Sequence, residues 1–521
     1  MSTTALTYDV TICGMGPVGA TLSLLLAKRG LRVCIVEKQP GVYPHPRAVH
    51  LDDDALRILS DAGISQEEHE IFLEKFERAI FQDAAAKPFF VMSVSDNRPF
   101  GFRTNNWFLQ PALEKLLRSK ITQEPLIDAF LACELESWQE VDGVIHLKVR
   151  ATRQVFQKKT KWLVGCDGAN SSVRKMLTVP YKDLGFNQKW IVIDTFLKLP
   201  YTSTNNPLPK DHIQHCDPAR PTTYVPGAKG HRRWEFMEIP GESFQELDSA
   251  KVWKLLDAWT SPEVVSIHRQ AIYQFHARIA EKWRIGKVLL AGDAAHQMPP
   301  FAGQGLCSGL RDVANLAWKL DGVISGKSIE TLLDTYQEER QPHVVKISRG
   351  AVFLGTVIQT RSVLLASLRA VFFRMMSKIP FIRNKIQEDA AGKPPLVRGI
   401  LGTHRPELVG WPFPQPIVKR VNGDEVPLDR ALPRGFVLLS LKSFSLTTVR
   451  SWQIDAVEIT QASQWAGQQK IFDSTGSLTV WFSKNQVDWV LLRPDHYIFD
   501  AGEWKVLPLV LARWERLMHL N

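Results

Sequence analysis

A short apolar stretch that runs into a glycine-rich turn and then a helix limits how the N-terminal region can fold. Tyr8–Cys13 predicts a buried strand, and the next six residues read Gly-Met-Gly-Pro-Val-Gly. Helical apolar spacing follows over Val18–Arg29 and stops at a glycine. A second predicted strand, Leu31–Val36, ends at Glu37. These elements form a βαβ unit of the kind that binds dinucleotides.

Each glycine of this turn has its own physical role. Gly14 permits the turn, Gly16 lets the backbone approach a pyrophosphate, and Gly19 lets the helix pack closely on the strand. The carboxylate of Glu37 can accept hydrogen bonds from both hydroxyls of an adenosine ribose, and it would repel a 2′-phosphate. The residues assigned to this adenosine diphosphate site are Gly14, Gly16, Pro17, Val18, Gly19, Glu37 and Lys38.

A second glycine-rich turn occurs far along the chain. Val288–Ala291 predicts a buried strand, Gly292-Asp293 ends it, and the prolines and glycines that follow predict a helix beginning near Gln304. The free N–H groups and the dipole at such a helix start favour an anion, and a reduced flavin suits that position. The two turns together indicate a flavin. The residues assigned here are Gly292, Asp293, Pro300, Gly303, Gly305, Leu306 and Cys307.

A third strand-to-helix turn makes the pattern specific. Trp162–Cys166 predicts a strand, Asp167 and a glycine end it, and Ser171 or Ser172 is positioned to cap a helix that carries Arg174. The motifs Gly-x-Gly-x-x-Gly, Cys-Asp-Gly-Ala-Asn-Ser and Gly-Asp-Ala-Ala-His follow one another in this order. In this the chain resembles the group A flavoprotein aromatic hydroxylases. The resemblance extends over essentially the whole chain, more loosely in its last fifth.

The resemblance implies a set of cofactor contacts. FAD would bind without a covalent link, and NADH or NADPH would visit as a transient co-substrate. Asp293 would bond the ribityl chain, and Asp167 would lie near the pyrophosphate and help with the nicotinamide donor. Arg47 and Gln110 would lie along the cofactor. A helix cap or a turn carboxylate is the alternative for the two aspartates, and a local structural role is the alternative for Arg47 and Gln110.

The resemblance also implies a reaction, in which O2 adds to the C4a carbon of the reduced flavin and the resulting hydroperoxide hydroxylates a small phenolic aromatic acid. A tailoring hydroxylase or epoxidase of a larger aromatic natural product, and a non-catalytic flavin-binding scaffold, stay open as alternatives. The sequence fixes no catalytic base, and a structural role is preferred for each candidate. The candidates are His212, His215, Tyr224, His231, Arg233 and His296.

The order of predicted elements indicates an α/β fold. Residues 1–176 and 277–355 form a Rossmann-type FAD-binding domain, and residues 177–276 form an inserted antiparallel sheet that binds the substrate. Residues 356–401 form a helical segment and linker. Residues 402–521 resemble the thioredoxin-like C-terminal domain of the family.

Within that C-terminal domain the sequence predicts three strands and a closing helix. The strand-like runs are Phe436–Leu439, Leu478–Phe482 and Asp488–Arg493, and the helix is Leu507–Leu520. This region contains no cysteine, so a dithiol function is excluded. A structural role or a subunit contact is expected for it, and a homodimer stays open.

Composition narrows the remaining functions. The six cysteines lack Cys-x-x-Cys or metal-ligand spacing, so we expect reduced thiols and no metal. Met1–Thr7 shows no signal peptide, which favours the cytoplasm. The net charge of +10 is scattered, so we expect no nucleic-acid partner.

One segment, Arg361–Arg383, combines apolar residues at helical spacing with five basic residues. We expect it to pack against the protein's own core or a second subunit, because its charges argue against a membrane-spanning helix. Membrane contact is therefore not expected, although an interfacial membrane helix stays open.

Overall fold

The computed structural model describes residues 7–152, 154–202, 204–242, 248–381, 393–441, 454–461 and 470–518. These residues form four sheets, and the chain divides into two compact units. The first unit comprises Met1–Asp96, Thr104–Val313 and Val345–Lys393, and the second comprises Asn97–Arg103, Ala314–Val344 and Pro394–Asn521. The finer division of the chain at residues 176, 277, 356 and 401 stays a prediction.

The N-terminal glycine-rich turn lies at the end of an eight-stranded sheet. Thr7–Cys13 pairs in parallel with Val33–Glu37 on one side and Val155–Gly165 on the other. Val288–Leu290 is the next parallel strand. All three predicted turns therefore follow the carboxyl ends of neighbouring parallel strands. The strand order is Arg284–Ile285, Val288–Leu290, Val155–Gly165, Thr7–Cys13, Val33–Glu37 and Ile127–Leu131. Val144–Arg150 pairs antiparallel with Val155–Gly165, and Glu134–Val141 pairs antiparallel with Val144–Arg150.

A second eight-stranded sheet, here called the platform sheet, contains the predicted antiparallel region. It also takes in two strands from the N-terminal part of the chain, Arg78–Gln82 and Pro88–Ser93, outside the predicted residues 177–276. Helix Ser249–Leu256 covers one face, where Ile191, Trp234 and other apolar side chains form a buried cluster. The strand order is His296–Gln297, Val265–Ala280, Tyr181–Leu197, His231–Met237, Thr222–Val225, His212–His215, Arg78–Gln82 and Pro88–Ser93.

The remaining elements up to residue 381 are a three-stranded sheet and a set of helices. The sheet has the order His50–Asp52, Asn105–Phe108 and Leu73–Lys75. The α-helices are Pro17–Ala27, Asp53–Asp61, Gln66–His69, Gln110–Gln123, Ser172–Met176, Ser249–Leu256, Gly305–Ile324, Asp334–Ile358 and Val363–Met376. Short 3₁₀ turns occupy Gly292–Ala294, Pro300–Ala302 and Glu330–Leu333.

The second unit contains a seven-stranded mixed sheet with apolar cores on both faces. Helix Leu507–Met518 packs on one face and helix Ser477–Asn485 on the other. The strand order is Glu425–Pro427, Ile417–Lys419, Lys470–Phe472, Asp455–Thr460, Val437–Ser440, Trp489–Leu492 and Ile498–Gly502. A short helix, Leu428–Ala431, and a 3₁₀ turn, Trp504–Val506, complete the described elements. The likeness of this unit to thioredoxin stays a prediction.

One predicted strand in this unit is wrong. Leu478–Phe482 lies within the helix Ser477–Asn485. The carboxylate of Asp473 accepts hydrogen bonds from the backbone N–H and the hydroxyl of Thr479, and so helps to hold the first turn of the helix. Leu478 and Phe482 are one helical turn apart, and both are buried. The predicted closing helix is observed over Leu507–Met518, and residues 519–521 lie outside the described part of the chain.

The amphipathic segment forms the helix Val363–Met376, and Arg383 lies outside the described residues. The helix packs on the first unit through Ala366, Ala370 and the ring of Phe373, which contacts Phe89 and Phe90. The expected packing against the protein's own core is thus observed on one side of the helix, whereas its larger apolar side chains do not join that core and a second subunit stays a prediction. These larger side chains are exposed, namely Leu364, Leu365, Leu368, Val371, Phe372, Met375 and, just beyond the helix, Ile379.

Candidate active site

The first glycine-rich turn has the geometry of a nucleotide-binding loop. Gly14 has φ of +100°, and a Cβ there would lie 2.5 Å from the carbonyl oxygen of Cys166, so only glycine fits. A Cβ at Gly19 would overlap the carbonyl oxygen of Gly14, so the helix can sit this close only without a side chain. A Cβ at Gly16 would meet no atom within 4 Å, and no side chain caps the helix that starts at Pro17. Free N–H groups therefore face open space, as a pyrophosphate requires.

The acidic residue at the end of the second strand turns toward this loop. Glu37 is buried, and its carboxylate accepts hydrogen bonds from the backbone N–H groups of Met15 at 2.6 Å and Gln39 at 2.7 Å. These bonds fix the carboxylate beside the glycine turn and leave each oxygen with further acceptor capacity. This arrangement fits a ribose diol. Lys38, the next residue, is exposed.

The two glycine-rich turns that are distant in sequence touch each other. Val18, in the first helix, lies against Gly292, where a Cβ would be 3.2 Å from the valine methyl groups. The same side chain lies against Gly309 in the helix Gly305–Ile324, where a Cβ would be 2.8 Å away. The small residues at 292 and 309 thus let both helix starts approach one site.

Asp293 directly follows Gly292, in the 3₁₀ turn Gly292–Ala294 beside this contact. Its side chain is exposed to solvent, yet the protein atoms around it raise the pKa of its carboxyl, an effect that His296 and Arg47 partly offset. The site can therefore accept a ligand that donates hydrogen bonds to this carboxyl.

The long helix begins at Gly305, directly after the predicted start. Gly303 has φ of +62°, and its carbonyl oxygen lies 3.2 Å from Nδ1 of the buried His50, whose Nε2 lies 2.8 Å from the amide oxygen of Asn105. A Cβ at Gly305 would meet nothing within 4 Å. The first N–H groups of this helix, which include those of Leu306 and Cys307, thus have space in front of them for an anion.

Asp167 holds a helix start, as the alternative interpretation expects. One carboxylate oxygen accepts hydrogen bonds from the N–H and hydroxyl of Ser172 and from the N–H of Val173, at 2.7 to 3.1 Å. Ser171 supplies the second cap by accepting from the N–H of Arg174. The other oxygen of Asp167 is buried and has no hydrogen-bond partner among the described residues. It is therefore free to accept a bond from a bound ligand after a small movement.

Gln110 and Arg47 belong to one loop arrangement. The amide oxygen of Gln110 accepts hydrogen bonds from the N–H groups of Arg47 and Ala48, and its amide nitrogen donates to Glu114 at 2.7 Å. Gln110 thus holds the backbone of the loop that carries Arg47. The Arg47 side chain is exposed and lies over the ring of Tyr43 at 4.3 Å.

The face of the platform sheet opposite helix Ser249–Leu256 carries a buried, mainly polar row across four strands. Val192, Glu235, Thr223 and Gln214 are paired neighbours at one level of the sheet. The hydroxyl of Thr223 donates to Gln214 at 2.7 Å, and the amide nitrogen of Gln214 lies 2.9 Å from Nε2 of His212. Burial lowers the pKa of His212 to about 4, so its ring is neutral at pH 7.

Glu235 is the ionisable member of this row. Its side chain is buried, its nearest cation is Arg233 at 3.7 Å, and burial raises the pKa of its carboxyl above the ordinary value. A buried carboxyl with a raised pKa is a candidate for proton transfer. The alternation of the strand His231–Met237 places it on the same face as Arg233, a signal that the sequence already contained.

Ring contacts join the two ends of this polar row to the turn before the long helix. At one end Trp190 contacts Phe301, with ring centres 5.6 Å apart. At the other, His212 contacts Trp107, which contacts His50 next to Gly303. The polar row therefore lies opposite the turn that precedes Gly305. A planar molecule placed there would meet both.

An ionic cluster fixes the platform sheet to the loop that carries Arg47. Asp194 is fully buried, accepts from Nε of Arg233 at 2.7 Å and lies 2.8 Å from Nε2 of His231. The other two nitrogens of Arg233 donate to the carbonyl oxygens of Pro46 and Arg47. Burial raises the pKa of Asp194, but Arg233 and His231 outweigh it and hold the pKa well below its usual range.

The six catalytic candidates therefore occupy different environments. His212 and Arg233 lie on the face of the platform sheet that carries the polar row, whereas Tyr224 packs in the opposite core and donates to the carbonyl of Pro209. His215 contacts Gln82 and the ring of Trp259. His231 and His296 are fully buried and are held by carboxylates, Asp194 at 2.8 Å and Asp312 at 2.6 Å respectively. The structure favours structural roles for Tyr224, His215, His231 and His296.

Comparison with known proteins agrees with this geometry. A family profile described as "FAD binding domain" matches residues 7–351, and one described as "HcaD C-terminal domain" matches residues 410–516. Two Escherichia coli proteins named 3-(3-hydroxy-phenyl)propionate/3-hydroxycinnamic acid hydroxylase are 33% and 34% identical to this chain, each match covering 98% of this chain and 95% of the relative.

Solved structures share the fold at lower identity. The flavin-dependent monooxygenase PieE, in complex with FAD and substrate, superposes with a TM-score of 0.79 at 19% identity, covering 99% of this chain and 100% of that chain. The OxyS anhydrotetracycline hydroxylase from Streptomyces rimosus gives 0.78 at 21% identity, with coverage of 99% and 100%.

The fold and the paired glycine-rich turns define a flavoprotein monooxygenase. The chain belongs to the group A FAD-dependent aromatic hydroxylases, and its cofactor is FAD. The predictions of this family and of the α/β fold class are thereby confirmed.

Proposed function

We propose that this enzyme uses NADH or NADPH and O2 to hydroxylate a small phenolic aromatic acid bound against the polar row of the platform sheet. The observation that carries the proposal is the row itself, with the buried carboxyl of Glu235 at its centre, opposite the turn before Gly305. Bound FAD, once reduced, supplies activated oxygen to the substrate ring. The hydroxylases of E. coli to which the chain is similar are named for phenolic acids.

The protein's own groups orient the ring and manage one proton. The carboxylate of Glu235 takes the proton from the phenol oxygen, which raises electron density at the ring carbons beside it. The hydroxyl of Thr223 donates to the amide oxygen of Gln214 and so orients that amide, whose nitrogen faces His212. These three side chains form a fixed edge of the pocket. The aromatic side chains at both ends of the row limit access of water.

The structure argues against Arg233 as the anchor for the substrate carboxylate. All three of its nitrogens have partners: Asp194, the carbonyl oxygen of Arg47 and that of Pro46. Binding a second anion would require Arg233 to give up bonds in a buried position. Its role in this proposal is to position the loop.

The proposed function is tested by substrate-dependent oxidation of NADH and NADPH by the purified holoenzyme. We expect 3-(3-hydroxyphenyl)propionate to stimulate oxidation and to yield a product that carries one oxygen atom from labelled O2. 3-Phenylpropionate, which lacks the phenol, is the matched control and should give neither. Stimulation only by large polycyclic phenols would favour the tailoring alternative. No oxidation with any phenol, despite bound FAD, would favour a scaffold.

The proton role is tested by Glu235→Gln. We expect kcat to fall about a hundredfold or more and the acidic limb of the pH profile of kcat/KM to disappear, because the amide cannot accept the phenol proton. Glu238→Gln is the matched control, since Glu238 lies just past the end of the same strand. Unchanged kcat and an unchanged pH profile in Glu235→Gln would remove this residue from the mechanism.

A further inference from the structure

The helix Val363–Met376 presents an apolar face that the described structure leaves uncovered. Leu364, Leu368, Phe372 and Met375 are each between 57% and 70% exposed, and they recur three or four residues apart. On a helix this spacing places them on one side. Ala366 and Ala370 lie on the opposite side and are buried against the protein. The helix is thus anchored by its small residues and turns its large ones outward.

Contacts with the protein hold the helix in this orientation. Arg369 donates to the carbonyl oxygens of Val357 at 2.7 Å and Cys216 at 2.8 Å, and Arg374 forms an ion pair with Asp83 at 2.5 Å. Rotation of the helix to bury its large side chains would break these bonds. The outward apolar face is therefore a fixed feature of this unit. Apolar patches of this kind on a protein surface mark interaction sites.

The charge around this face selects the partner. From Arg340 to Gln387 the chain contains no Asp or Glu. Lys346, Arg349, Arg361 and Lys378 are exposed. Arg361 and Lys378 directly flank the helix, whereas Arg369 and Arg374 are bonded to the protein and Arg340 is buried.

We propose that the face formed by Leu364, Leu365, Leu368, Val371, Phe372 and Met375 docks the enzyme on an anionic lipid surface. An amphipathic helix with apolar residues on one side and basic residues around it inserts its apolar face at the level of the headgroups, where anionic lipids attract the cations. A second copy of this chain would bring two basic segments together, so charge disfavours a dimer through this face. Among the described residues, no single helix is both long and apolar enough to span a bilayer, and the pair Glu330–Ile358 and Val363–Met376, which passes that test together, is bent by 115°. The contact proposed here is peripheral, in contrast to the absence of membrane contact expected from the sequence.

The test is sedimentation of the full-length holoenzyme with lipid vesicles. We expect the protein to pellet with vesicles of equimolar POPC and POPG, to stay in the supernatant with POPC alone, and to be released by high salt. Absence of binding to the POPG vesicles would overturn the proposal. So would equal binding to both kinds of vesicle, because the anionic headgroup would then be irrelevant.

A pair of adjacent substitutions separates insertion from simple charge attraction. Leu368→Glu and Ser367→Glu add the same charge at neighbouring exposed positions of one helix, but only the first removes an apolar side chain from the face. We expect Leu368→Glu to weaken vesicle binding at least about tenfold more than Ser367→Glu, with unchanged FAD content in both. Equal losses would overturn insertion of the face. A dimeric wild type that Leu368→Glu converts to a monomer, with no vesicle binding, would assign the face to a second copy.

Discussion

At the scale of single residues, the open space beside Gly16 gives a direct test of the nucleotide site. Its φ of −67° suits any residue, and an added Cβ would touch no protein atom, so Gly16→Ala should leave the apoprotein fold unchanged. The methyl group would instead occupy the space needed by the pyrophosphate. We expect FAD affinity to fall at least about tenfold, equivalent to about 1.4 kcal/mol, in a fluorescence titration of the apoprotein.

Gly350→Ala is the matched control for that change. Gly350 is an exposed glycine within the helix Asp334–Ile358, and a Cβ there also meets nothing within 4 Å. The substitution should leave FAD affinity unchanged and raise stability slightly, because alanine favours a helix. If Gly16→Ala bound FAD as tightly as Gly350→Ala does, the pyrophosphate could not lie at this turn.

The sequence predicts the cofactor residues better than the substrate residues, and the reason is local. The roles of Gly14 and Gly19 follow from a turn whose backbone geometry depends on a few neighbouring residues. Glu235 and Gln214 become neighbours of one site only when three strands pair, and strand pairing is set by long-range packing. His231 pairs with Asp194, and His296 pairs with Asp312. Each aspartate is distant in sequence from its histidine, so neither pair could be predicted before the fold was known.

At the scale of elements, the platform sheet and the loop 44–47 depend on one buried carboxylate. Asp194→Asn would remove the carboxylate that is hydrogen-bonded to the buried Arg233, leaving only Glu235 at 3.7 Å, and Arg233 holds the carbonyl oxygens of Pro46 and Arg47. We expect a loss of about 3 kcal/mol in the free energy of unfolding of the apoprotein, measured with urea, and weaker FAD binding because the loop carries Arg47. Saturating FAD should raise the stability of both proteins, so the comparison is made on the apoproteins.

The control for this change lies on the same strand. Asp183 is more exposed, and its ion pair with Arg278 at 3.5 Å lies at the surface. Asp183→Asn should cost less than about 1 kcal/mol. The pKa of Asp194 is lowered in the folded protein, so its contribution is present above the ordinary pKa of 3.8 and is lost as the pH falls below that value. Equal destabilisation by both substitutions would show that Asp194 does not act as the link.

Elements were predicted where local signals and packing agree. The strand Thr7–Cys13 and the helix from Gly305 combine apolar periodicity with glycine turns, and both occur close to the predicted bounds. The run Leu478–Phe482 contains valine and aromatic residues that favour a strand, but the cap from Asp473 and the burial of one helical side decide the outcome. The inclusion of Arg78–Gln82 in the platform sheet requires a parallel pairing with His212–His215, which no local pattern reveals.

At the scale of the whole molecule, each compact unit has its own core, and the second unit also has a buried ionic cluster. Glu339 forms ion pairs with Lys319 at 2.9 Å and Arg493 at 2.7 Å, and all three side chains are fully buried. Its other oxygen accepts from the N–H of Ile400. Such a cluster joins segments that are far apart in sequence. The sequence alone does not predict it, because Lys319, Glu339 and Arg493 form no local motif.

Glu339→Gln should destabilise the protein by about 3 to 5 kcal/mol, because two buried cations lose their shared counterion. Glu338→Gln is the control, since Glu338 is the exposed neighbour, and it should change the free energy of unfolding by less than about 0.5 kcal/mol. Unfolding in urea, followed by circular dichroism at neutral pH, measures both. Equal effects of the two substitutions would mean that the cluster does not contribute to stability.

The pH dependence of this difference supplies an independent check. Burial opposes the charged form of Glu339, but Arg493 and Lys319 outweigh it and lower the pKa from the ordinary 4.5 to about 2. An acid with a lowered pKa stabilises the folded state above its unfolded pKa, and this contribution is lost as the pH falls toward the folded value. The gap in stability between wild type and Glu339→Gln should therefore be constant above pH 4.5 and narrow between pH 4.5 and about 2. A gap that stays constant through this range would show that the effect of Glu339 comes from packing and not from its charge.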